Sequence, residues 1–149
     1  MTESAQSTFI YVTYIRTTPE KLWAALTDAD TMKAYWFGMR CASDWKAGSP
    51  WRLEFGDGRL ADSGEILEAE APKKLVVKWR NEFRPELTAE GFSTCTMTIE
   101  PLKGAAKLTV VHTIDVEKSK LIEAVSGGWP QVLSNLKSLM ETGEVAWTR

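Results

Sequence analysis

The sequence predicts an α+β fold: one curved antiparallel sheet of six to seven strands wrapped around a long C-terminal helix, with two short helices after the first strand. Three observations predict it. The chain ends with Gly127-Gly128-Trp129-Pro130 leading into Val132, Leu133, Leu136, Leu139 and Met140, and closes at Gly143. Those apolar residues recur at three- and four-residue spacing, the mark of an amphipathic helix. Almost everything between Met39 and Asp115 reads as strands joined by hairpin-length turns, which makes the sheet antiparallel. A single long helix after a run of strands has one large surface to bury against, the concave face of the sheet. A sheet gripping a helix often leaves part of its interior unfilled, so the ending also points to a cavity for a small apolar molecule.

The elements follow in order. Residues 7–16 (STFIYVTYIR) are β-branched and aromatic, a first strand. Thr18 caps a helix with Pro19 at its first position, where a missing N–H costs nothing. Leu22, Trp23, Ala25 and Leu26 form its apolar stripe. Asp28 or Asp30 opens a second short helix through Met32, Tyr35 and Trp36, stopped by Gly38. Residues 40–44 make a short strand. Trp51, Leu53 and Phe55 alternate with Arg52 and Glu54 and share a face. Gly56-Asp57-Gly58 turns the chain into a strand over 60–69, with Ile66 inward. After the turn at Ala71-Pro72-Lys73, Leu75, Val77 and Trp79 share a face, which leaves Arg80, like Arg52, outside. Strands over 92–99 and 107–114 flank the turn at Gly104; in the second, Leu108, Val110 and His112 lie together. The closing helical region starts near Glu117, and Gly127-Gly128 with Pro130 is expected to break or kink it.

The chain of 149 residues suits a single domain over 1–149, large enough to bury roughly 70% of its unfolded surface. A net charge of −2 and scattered lysine pairs argue against a nucleic-acid partner, which needs a basic face. No apolar run approaches the roughly 20 residues that span a bilayer. The first residues lack the basic and apolar segments of a secretory signal, and two cysteines far apart read as reduced thiols. The expected location is therefore cytoplasmic. Seven tryptophans are more than one small core readily absorbs, which leaves room for a homodimer.

The residues that carry chemistry are few. His112, the only histidine, shares its face with Leu108 and Val110 and is the one candidate general base. The alternative is a buried, hydrogen-bonded core histidine. No Ser-His-Asp order accompanies it. One histidine with two distant cysteines cannot supply a zinc site, and no glycine-rich phosphate loop is present, so neither metal nor cofactor is expected. Among Glu65, Glu68 and Glu70, one carboxylate is a candidate to face the interior. The aromatic set is the stronger lead. Trp36, Phe37, Trp51, Phe55, Trp79, Phe83 and Phe92, with Leu53, Val110, His112, Trp129 and Leu133, either line a pocket of roughly 300–1,000 Å³ or fill a core. Residues 83–92 form the longest loop of the sheet region, placed to gate the mouth.

The order and wording of these segments resemble a known group. Thr18-Pro19-Glu20-Lys21-Leu22-Trp23-Ala24-Ala25-Leu26-Thr27-Asp28 is followed by Tyr35-Trp36-Phe37-Gly38. Trp51-Arg52 comes after Gly48, and Gly64-Glu65-Ile66-Leu67-Glu68 precedes Pro72 and Leu75-Val76. Leu108 to Thr113 with His112, then Gly128-Trp129, complete the set. Together they resemble the START-like (SRPBCC) ligand-binding superfamily of birch-pollen allergens and polyketide cyclases. Within it, the chain is most similar to the AHSA-type family, named after the activator of a heat-shock chaperone's ATPase. The resemblance implies the helix-grip fold and a cavity between sheet and last helix. It carries over no catalytic motif, because the family shares none. The chaperone-activating members use an additional domain; this chain reads as one stand-alone domain, which counts against a chaperone partner.

Three functions are thus expected to compete. The first is a binding module for a small hydrophobic or aromatic molecule, oriented by His112 and a carboxylate. The second is a cyclase- or hydrolase-type enzyme using the same cavity with His112 as base. The third is a chaperone-associated interaction module acting through surface residues.

Overall fold

In the computed structural model, which describes residues 6–149, the strands are β1 (Ser7–Ile15), β2 (Arg40–Ser43), β3 (Pro50–Glu54), β4 (Leu60–Glu70), β5 (Lys74–Asn81), β6 (Ser93–Leu102) and β7 (Ala105–Ile114). The helices are α1 (Pro19–Thr27), α2 (Ala29–Tyr35), α3 (Pro85–Thr88) and α4 (Lys120–Thr142). The seven strands form one antiparallel sheet in the order β1-β7-β6-β5-β4-β3-β2. β1 and β2 lie on opposite edges, so α1 and α2 carry the chain from one edge to the other.

Local chemistry sets the helix ends, at Thr18 and Gly143 where the sequence places them and at Asp28 of the two aspartates it offers. The Thr18 hydroxyl accepts from the Lys21 N–H at 3.2 Å, with Pro19 in the first turn. Asp28 caps α2 through the Thr31 N–H at 3.1 Å. Ser119 caps α4 through the Ile122 N–H at 3.1 Å, and Gly143 ends that helix at φ 85°, a left-handed conformation glycine adopts freely.

α4 starts three residues later than expected and runs unbroken through Gly127, Gly128 and Pro130. Pro130 removes one backbone bond, that to the Ser126 carbonyl. The next carbonyl, of Gly127, accepts the Gln131 side-chain amide at 2.9 Å. Burial of Trp129, Val132, Leu133 and Leu136 along one stripe outweighs the single lost bond. That stripe joins Leu108 and Val110 of β7, Leu75, Val77 and Trp79 of β5, and Trp51 of β3 in one continuous core.

Two irregularities matter for the site. Register shifts interrupt β3–β4 pairing at Leu53/Glu54 and β4–β5 pairing at Ile66/Glu68. The second leaves Leu67 exposed and reverses the alternation beyond it, so Ala69 packs on the core while Glu68 and Glu70 face solvent. None of the three expected glutamates is buried; the buried carboxylate of β4 is Asp62. Likewise β3 ends before Phe55, which leaves the shared face of Trp51 and Leu53 and packs edge-on against Phe83 with ring centroids 5.0 Å apart.

Six of the seven tryptophans are buried or partly buried at this core, and Trp147 is exposed. Trp51, Trp79 and Trp129 are buried, Trp23, Trp36 and Trp45 pack against the core they belong to, and Trp147 lies edge-on to Phe37 at 4.9 Å. Buried Asn135 ties that last contact down: its carbonyl accepts the Ala146 and Trp147 N–H groups and its amide donates to the Trp147 carbonyl. Cys41 and Cys95 are free and buried, and burial pushes both thiols up, away from thiolate chemistry. Among the described residues, no helix is long and apolar enough to cross a membrane.

Candidate functional site

The polar heart of the interior is a chain of hydrogen bonds through His112. The Trp129 indole N–H, which can only donate, reaches His112 Nδ1 at 3.2 Å. The Ser93 hydroxyl donates to the Trp79 carbonyl at 2.8 Å, so its oxygen accepts from His112 Nε2 at 2.8 Å. These partners fix the tautomer with the proton on Nε2 and leave no free lone pair on the ring. Burial lowers the imidazole to about 4. His112 is fully buried behind Trp79, with ring centroids 5.2 Å apart, and does not reach the pocket wall. It satisfies the core histidine reading and is not placed as a general base.

A second network surrounds Asp62. Its Oδ2 accepts the Trp79 indole N–H at 2.6 Å and its Oδ1 accepts the Asn81 amide at 3.0 Å. Asn81 in turn accepts the Phe83 and Arg84 backbone N–H groups at 3.2 and 2.9 Å, folding the chain after β5. Burial pushes the Asp62 carboxyl up to about 7; the Trp79 hydrogen bond opposes this, and the nearby Glu82 charge adds to it.

Asp62 stands in the wall of a pocket of about 180 Å³. Trp36, Phe37 and Met39 form one side, reached from the end of α2. Leu53, Trp79 and Asn81 join Asp62 on the sheet side, and Phe83, Arg84 and Leu87 close a third. The fourth is one stripe of α4: Leu121, Ala124, Val125, Gly128, Trp129 and Val132. Ala124 and Gly128 leave the space open; a Cβ added at Gly128 would meet nothing within 4 Å. The volume is smaller than expected because Trp36, Trp79 and Trp129 fill the grip, with centroids 5.4–6.4 Å apart. Beneath them the interior is packed, with a residual space of about 20 Å³ lined in part by Trp51 and Leu133.

Of the residues singled out from sequence, Trp36, Phe37, Leu53, Trp79, Phe83 and Trp129 meet at the pocket. Trp51, Leu133, Val110 and His112 lie deeper, in the core. Phe55 backs Phe83 without reaching the pocket. Phe92 lies on the outer face of the sheet, its ring under the Lys78 and Arg80 cations at 4.6 Å each. Its position is opposite in alternation to buried Ser93, Cys95 and Met97, which put it outside. Asp62 and Asn81 escaped the sequence reading, though Asp62 shares parity with Ile66, and Asn81 with Trp79.

The 83–92 segment, expected as a loop over the mouth, lines the pocket with Phe83, Arg84 and Leu87 and is itself folded. It holds α3, buries Leu87, and bonds Thr88 Oγ1 to the Asn81 carbonyl at 2.7 Å. Glu90 accepts the Ser119 hydroxyl at 2.5 Å and the Lys120 N–H at 2.9 Å at the start of α4. Its negative charge there suits the helix dipole. Among the described residues, no group of three or more His, Cys, Asp or Glu is placed to hold a metal ion.

Comparison with solved structures places this architecture. An HSP90 activator from Plasmodium falciparum is 26% identical, with a TM-score of 0.73 over 89% of this chain and 94% of that one. Protein MLL2253 from Mesorhizobium loti is 22% identical, with a TM-score of 0.76 over 89% and 96%. The Aha1 dimer from Colwellia psychrerythraea is 18% identical, with a TM-score of 0.74 over 92% and 98%. The latter two likenesses speak to the fold alone. No curated protein matches the sequence. Residues 16–141 match the family described as activator of Hsp90 ATPase homolog 1-like protein, and the chain belongs to that family.

Proposed function

We propose that the protein is a cytoplasmic binder of a small apolar or aromatic molecule, held in the pocket between the sheet and the first half of α4. The observation that carries this reading is the pocket wall: five aromatic rings, a helix stripe opened by Ala124 and Gly128, and one buried carboxylate. Mostly apolar walls with a few convergent polar groups characterise small-molecule sites. His112, with both ring nitrogens engaged, offers no base for the cyclase or hydrolase alternative.

Gly128 supplies the test. Gly128→Leu is expected to fill the pocket and weaken any bound small aromatic at least tenfold by calorimetry, with the fold retained. Gly128→Ala replaces a mid-helix glycine where a Cβ has room, and is expected to raise stability by about 0.5–1 kcal/mol in urea unfolding. A panel of small aromatics that shifts neither the melting temperature nor the tryptophan fluorescence of the wild-type protein would sink the binding reading.

The likeness to an HSP90 activator favours one second reading, a chaperone-binding surface. It predicts stimulation of a chaperone ATPase that Gly128→Leu leaves unchanged.

A further inference from the structure

Asp62 is the only buried carboxylate among the described residues. Its two oxygens take neutral N–H donors from Trp79 and Asn81, and none of the ion pairs among the described residues includes it. A buried anion without a cation is costly; proteins pair such groups or let them take up a proton.

No cation of the chain completes this pair. Glu82, at the end of β5, adds negative charge and is held by Arg80 at 2.5 Å and Ser63 at 2.9 Å. Arg84 on the rim is engaged by Glu86 at 2.9 Å. Arg149, also on the rim, lies over the Phe37 ring at 4.3 Å and reaches Gln131. The α4 wall facing Asp62 carries no charge, and β3 contributes Leu53. The remaining surface is mostly aromatic, Trp36, Phe37, Trp79, Phe83 and Trp129, joined by Met39, Leu87 and Asn81. Ring faces attract cations, most strongly where water is excluded.

We propose that this pocket takes a small cationic ligand, a protonated or quaternary amine on an apolar body, with its ammonium group against Asp62 and its body among the tryptophan rings. The proposal rests on the reading of the pocket as a ligand site. The ligand's charge would supply the missing partner of Asp62, and neutral or anionic molecules of the same shape would leave the carboxylate uncompensated.

The linkage has a definite sign. An ammonium ligand binds the ionised form of Asp62. Because burial has raised that carboxyl to about 7, affinity should climb as pH rises through this value. A neutral ligand of the same shape gains nothing from ionisation and lacks that rise.

The experiment titrates benzylamine, benzyltrimethylammonium, benzyl alcohol and benzoate into the full chain at pH 8 and pH 5.5. Calorimetry gives affinity, and the NMR signal of the Trp79 indole N–H, bonded to Asp62, reports occupancy. At least one of the two cations is expected to bind tenfold or more tighter than benzyl alcohol at pH 8. That advantage should shrink about tenfold at pH 5.5 and vanish in Asp62→Asn. If Asp62→Asn fails to fold, the wild-type pH comparison carries the test. Benzyl alcohol or benzoate binding as tightly as the cations at both pH values overturns the cationic ligand and leaves the pocket reading standing. If no probe binds or moves the Trp79 signal, both are overturned.

Discussion

Replacing Gly64 by alanine is expected to cost about 3 kcal/mol or more and to lower the melting temperature by roughly 6–12 °C. An added Cβ would lie 1.6 Å from the Lys78 carbonyl oxygen, 2.6 Å from its carbon and 3.3 Å from the Trp79 nitrogen. All three are backbone atoms, so no side chain can swing away; β4 and β5 must separate. Gly64 pairs with Trp79, and Asp62, two residues away, holds the Trp79 indole. The same substitution should therefore also shift the Trp79 indole NMR signal. Gly127→Ala is the control: it sits in the same chain, is exposed, meets nothing within 4 Å, and is expected to be neutral or stabilising. Urea unfolding that places Gly64→Ala within 1 kcal/mol of wild type would mean the strands do not approach as closely as described.

Between pH 4.5 and 6.5 the wild-type protein should show a nearly flat stability, because two buried groups push in opposite directions. Asp62 titrates at about 7 when folded against an ordinary 3.8. Across this window the folded chain holds a proton that the unfolded chain has released, so its contribution falls as pH rises. His112 titrates at about 4 when folded against an ordinary 6.5. Here the unfolded chain binds the proton and the folded chain does not, so its contribution grows as pH rises. Over two pH units each effect approaches about 2–3 kcal/mol. Asp62→Asn should thus become more stable from pH 4.5 to 6.5, and His112→Gln less stable. Below the window, carboxylates held low by partners lose their stabilising contacts as they protonate, as with Glu82 by Arg80 and Glu141 by Lys137. Urea midpoints at pH 4.5, 5.5 and 6.5 for the three proteins check this; three parallel curves would refute the opposing roles.

How far the sequence reaches is visible residue by residue. Thr18-Pro19 and Gly143 announce their helix ends, and Asp28 or Asp30 the start of the second helix, because capping depends on residues three or four positions away. Leu75, Val77 and Trp79, and Leu108, Val110 and His112, announce their buried faces, because alternation is local geometry. The same alternation, carried one step further, would have found Asp62 from Ile66 and excluded Phe92 from Cys95. The bulge after Ile66 was not legible: an inserted residue reverses parity, and nothing in Leu67-Glu68-Ala69 marks it. Nor was the buried place of Asn135 legible, because the returning 145–147 segment that satisfies it is set only by the fold.

By itself the sequence determined the strands and their order, the two short helices and the closing one, the family and the apolar character of the grip, but not α3. The elements follow from contacts between neighbours along the chain and the periodicity they impose, and the family from the resemblance of its segments. Tertiary structure decided which part of the grip is open. Trp36, Trp79 and Trp129 come from three distant elements and fill the deep interior together, while Ala124 and Gly128 leave room nearer the start of α4. It also decided that His112 is spent inside the core while Asp62 stands in the pocket wall. A side chain's volume is known from its name, but the space it must share is set only when remote segments meet.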